Sequence, residues 1–72
     1  MDYGEWAKSY ERTADLIAEM VHRNMQYIKH PDVSTSCKSL VAAKIHHDRA
    51  LIRQCRKVAA ELRKRGETHE IQ

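Results

Sequence analysis

A single proline, Pro31, stands near the middle of a 72-residue chain whose apolar residues recur at helical spacing on both sides of it. Proline lacks an amide proton and pushes the residue before it out of the α region. A helix arriving from the N-terminal side must therefore stop at about His30. The stretch His30-Pro31-Asp32-Val33-Ser34 reads as a connection, and Ser34 or Ser36 is the expected N-cap of the element that follows.

The first helix is expected over about 3–29. Asp2 followed by Glu5 resembles a capping box, with a carboxylate near the positive end of the helix dipole. Projected at about 100° per residue, Tyr3, Trp6, Tyr10, Ala14, Ile17, Met20, Val21, Tyr27 and Ile28 gather on one side, with Leu16 and Met25 at its edges. That arc is roughly 180° wide, well above the ~100° needed to face one neighbour. The second helix is expected over about 36–65. Its arc, through Val41, Ile45, Leu51, Ile52, Cys55, Val58, Ala59 and Leu62, is roughly 140° wide. Gly66 reads as the residue that ends it, leaving 67–72 as a frayed tail.

No strand signal interrupts this pattern, so the fold class is all-α: one antiparallel two-helix hairpin spanning 1–72. Pairing the helices around the turn brings Ile28 near Val41, Ile17 near Ile52 and Trp6 near Leu62. It also sets Asn24 and Asp48 at about one level, each inside an apolar stripe, as a polar layer that could fix register. Two helices with open faces do not enclose a core. The economical solution is dimerisation of two hairpins into a four-helix bundle, which makes a second copy of the chain the first expected partner.

Composition narrows the function classes. Charged residues make up 32% and the longest apolar run is Leu40-Val41-Ala42-Ala43, far short of the ~20 residues that span a bilayer. No membrane association is expected. The start of the chain has no apolar signal-like segment, so a cytoplasmic location is expected. Cys37 and Cys55 on one helix would lie ~27 Å apart, too far for an intrachain disulfide. The histidines at 22, 30, 46, 47 and 69 include no i,i+4 pair, and the cysteines form no CxxC, so neither a metal nor a cofactor is expected. Phosphate loops, nucleophile elbows and paired-carboxylate signatures are missing too. A non-enzymatic protein is expected.

The charge is uneven. Residues 1–20 carry a balance of −3 and residues 37–72 one of +5, which an antiparallel hairpin lays side by side. Arg49, Arg53, Arg56, Lys57, Arg63 and Lys64 project within roughly 120° on the second helix. They form either a solvated face, partly neutralised by Glu11, Asp15 and Glu19, or a surface for nucleic acid or an acidic protein. The first helix offers Tyr3, Trp6, Tyr10, Leu16, Met20, Met25 and Tyr27 as interface candidates; aromatics at this spacing serve a core as readily as a partner. The expectation is a small regulatory or inhibitory interaction protein, acting as a homodimer on another, unidentified protein. The alternative is a regulator that binds nucleic acid or another polyanion through its arginine face.

Overall fold

A computed structural model describes residues 2–71 of the chain, with side chains through Glu67. It consists of two helices, α1 over Tyr3–Ile28 and α2 over Thr35–Ile71, packed against each other along their length. Local chemistry sets three of the four boundaries. The Asp2 carboxylate accepts a hydrogen bond from the Glu5 amide at 3.1 Å, which makes Asp2 the N-cap of α1. Glu5 completes only half of a capping box, since its own carboxylate turns to Lys8 at 3.4 Å. At the other end the Lys29 and His30 amides tighten onto the Gln26 and Tyr27 carbonyls just before Pro31. Ser34, not Ser36, caps α2: its hydroxyl accepts from the Cys37 amide at 3.2 Å.

The fourth boundary departs from expectation. α2 does not end at Arg65 but continues through Gly66 to Ile71. No glycine has a positive φ, so Gly66 is not a left-handed cap. A Cβ built on Gly66 would lie 3.4 Å from the Cβ of Tyr3, at ordinary van der Waals contact, where α2 passes the first turn of α1, so a small side chain is tolerated there.

The interface repeats every seven residues, the period of helices wound around one another. Ala7, Ala14 and Val21 are buried on α1; Ile45, Ile52 and Ala59 are buried on α2, with Leu62 beside them. Ile17, Met25, Ile28, Val41 and Cys55 pack around one end of this seam, and Tyr3, Tyr10 and Val58 around the other. The expected Ile17–Ile52 and Ile28–Val41 levels belong to one cluster. The most deeply buried side chains are alanines, so the core is thin. The rod it holds measures 58 × 14 × 14 Å across the Cα atoms. Its radius of gyration, 16.7 Å, compares with about 11 Å for a globular chain of this length.

Candidate interaction surface

The seam leaves two flanks, and they differ in chemistry. On one flank α2 presents Arg49, Arg56 and Arg63, seven residues apart, toward α1. Arg63 reaches across to Glu11, with Nη2 on Oε1 and Nε 3.4 Å from Oε2. The hydrogen bond from Arg63 holds the Glu11 carboxyl below its ordinary value, against desolvation and with help from the charges of Arg63 and Lys8. The same contact raises Arg63. Arg49 donates to the sulfur of Met25 at 3.2 Å. Arg53, Arg56 and Lys57 are exposed and make no ion pair among the described residues, and Lys64 is exposed. Six basic residues thus share a face, and Arg49 and Arg63 among them bond across the hairpin.

The other flank carries large apolar side chains among polar ones. Trp6, Met20 and Tyr27 are 44%, 45% and 49% exposed, and Leu16 is 63% exposed. All four lie on α1 in one stripe, Trp6-Ser9-Thr13-Leu16-Met20-Arg23-Tyr27, whose spacing alternates between three and four residues. A shallow pocket at one end is lined by Trp6 with Val58 and Leu62, and Trp6 also lines a second one with Tyr10, Thr13 and Cys55. Trp6 therefore stands beside Leu62, as the pairing anticipated, but on the rim. Its ring stacks on Tyr3, centroids 6.5 Å apart and planes 19° apart.

The interface candidates divide along this line. Trp6, Leu16, Met20 and Tyr27 remain exposed. Tyr3, Tyr10 and Met25 are half-buried against the seam and belong to the hairpin itself. The sequence pattern alone did not separate them, because a wide apolar arc contains both the seam and its flank.

The polar layer takes a different form from the one expected. Asp48 is 5% exposed, and its carboxylate accepts from Lys44 Nζ at 2.8 Å, one turn back on α2, instead of from Asn24. Counting along both helices from the Tyr3–Gly66 contact sets Asp48 level with Val21, and Asn24 level with Ile45. The neighbouring turn of its own helix satisfies the acid.

Both cysteines are free. Among the described residues no group of three or more His, Cys, Asp or Glu is gathered closely enough to hold a metal ion, and no helix is long and apolar enough to cross a membrane. No protein-family model, curated protein or solved structure matches the chain.

Proposed function

We propose that this chain is a small non-enzymatic interaction protein that works as a homodimer, two hairpins closing into a four-helix bundle, and that binds another protein through its helical surfaces. One observation carries the reading. Four large apolar side chains lie in a single stripe on α1, on the opposite flank from the arginines, in a hairpin whose most buried residues are alanines. The chain exposes 5778 Å², against about 4,600 Å² for a globular monomer of its mass. The excess exceeds the ~800 Å² that each partner contributes to a standard interface. Obligate dimers behave this way because their stability includes association, so their unfolding temperature rises with concentration. Thermal unfolding over a hundredfold range of protein concentration tests the dimer; a fixed midpoint contradicts it.

A second reading rests on Arg53, Arg56 and Lys57, which are exposed and unengaged among the described residues. On a dimer they would be doubled into a surface for nucleic acid or another polyanion. Arg63 and Arg49 support it less, since each already bonds across the hairpin. Binding of oligonucleotides at two salt concentrations tests it: phosphate contacts give a steep salt dependence, which Arg53→Glu with Arg56→Glu should abolish without changing the dimer. Absence of binding at low salt removes this reading.

A further inference from the structure

The arginines Arg49, Arg56 and Arg63 repeat every seven residues on α2, and each meets a different residue of α1 across the same flank. Arg63 meets the carboxylate of Glu11. Arg49 meets the sulfur of Met25 at 3.2 Å, a weak acceptor that leaves most of its guanidinium donors unused. Seven residues along from either contact, Arg56 faces Ala18, whose side chain has no acceptor. Arg56 is exposed, as is Arg53 between it and Arg49, and none of these three makes an ion pair among the described residues. One arginine of the row thus has a carboxylate within the hairpin, and its two equivalents do not.

The surroundings indicate what the absent carboxylates belong to. From Arg49 toward the turn, Met25, Ile28, Ala42 and Ile45 line a shallow recess on this flank, together with His46 and Arg49. An apolar recess one turn from a guanidinium suits an apolar side chain rather than a phosphate. On the α1 side of the flank stand two acids, Glu11 and Asp15, one turn apart. Counted from the Tyr3–Gly66 contact, Asp15 is level with Gln54, between Arg53 and Arg56. A continuous polyanion laid along the flank would meet both acids. A helix avoids them when its own acids lie only on the edge over α2, and its positions seven apart repeat at about 10.5 Å, the step from Arg49 to Arg56.

Resting on the reading that the chain binds another protein, and not on its being a dimer, we propose that this flank docks an acidic amphipathic helix of that protein. Carboxylates seven residues apart meet Arg49 and Arg56, a further acid meets Arg53, and an apolar residue one turn beyond the first carboxylate enters the recess. Arginine suits such contacts because its planar fork holds a carboxylate through paired, charge-assisted hydrogen bonds. The recess supplies the apolar anchor that a helix laid in a groove uses.

Ala18→Glu tests the assignment from inside the hairpin. Position 18 lies one heptad from Glu11 and is half-buried like it. A glutamate there is expected to take Arg56 as Glu11 takes Arg63, withdrawing it from the docked helix while the hairpin stays folded. The probe is a synthetic labelled helix with glutamates at this spacing and a leucine for the recess, followed by fluorescence anisotropy. Its glutamine counterpart and a single-stranded oligonucleotide of equal charge are titrated at the same ionic strength. The glutamate helix is expected to bind the wild type, and Ala18→Glu and the exposed Arg56→Gln are each expected to weaken it about tenfold or more, with circular dichroism unchanged. Equal binding of the glutamine helix, or undiminished binding to both variants, overturns the proposal. Tighter binding of the oligonucleotide overturns it in favour of the polyanion reading. Binding of neither probe overturns this docking site; the wider reading falls with it only if the chain also sediments as a stable monomer.

Discussion

Gly66 shows how a single residue can be read two ways. After a basic last turn it looks like a left-handed stop, but here it lies inside α2 with its α-carbon against Tyr3. The two roles predict opposite signs for one substitution. Alanine inside a helix is favoured over glycine by about 0.5–1 kcal/mol, and its methyl would meet Tyr3 at van der Waals contact, so Gly66→Ala should raise stability by up to ~1 kcal/mol. In a left-handed cap it would lower stability. Urea denaturation reads the sign directly.

Glu11 gives a pH signature. Its folded pKa is depressed by Arg63, so the stability it contributes is fully present above the unfolded carboxyl value and is lost as pH falls through the folded one. Acid unfolding of the wild type should therefore include a component below about pH 4.5 that Glu11→Gln lacks. Identical acid limbs would mean the contact with Arg63 is not formed in solution.

Asp48 is satisfied by Lys44 alone. Removing the lysine leaves a nearly buried acid without its partner, and Lys44→Ala should cost about 1–3 kcal/mol. Asp48→Leu, which replaces the acid by an apolar side chain in the seam, should be neutral or stabilising. Equal losses from both substitutions, again by urea denaturation, would contradict this assignment.

At the scale of the helices, the determining feature is the thinness of the seam. Ala7, Ala14 and Ala59 are its most buried residues, and small side chains there bring the backbones together. Enlarging one of them should force the helices apart: Ala14→Leu is expected to destabilise by about 1–3 kcal/mol, measured by thermal or urea unfolding, although leucine brings more apolar surface to bury. A neutral result would place Ala14 outside the seam. The helices and their caps were legible in the sequence because Asp2, Pro31 and Ser34 act on backbone groups within a few residues of themselves. The end of α2 was not, because a glycine after a basic turn matches the pattern of a helix end, whereas here it stays inside the helix. Ala7 escaped a reading based on large apolar residues, although its seven-residue spacing from Ala14 and Val21 was there to be found. The partner of Asp48 was likewise present as an i,i+4 lysine.

At the scale of the whole molecule, these features point one way. A rod of two helices buries little among its own residues, exposes an ordered apolar stripe on one flank and keeps arginines on the other. The width of the apolar arc on α1 already indicated in the sequence that one neighbour does not cover it. What the sequence left unresolved was which part of the arc α2 takes; the seam claims Ala7, Ala14 and Val21, and Trp6, Leu16, Met20 and Tyr27 remain. The central claim is that this remainder is an interface and the hairpin is half of an assembly. Sedimentation equilibrium of the wild-type chain at micromolar concentration tests it most directly. The expected result is twice the 8.4 kDa chain mass; a single species at the chain mass, folded and stable, would contradict it.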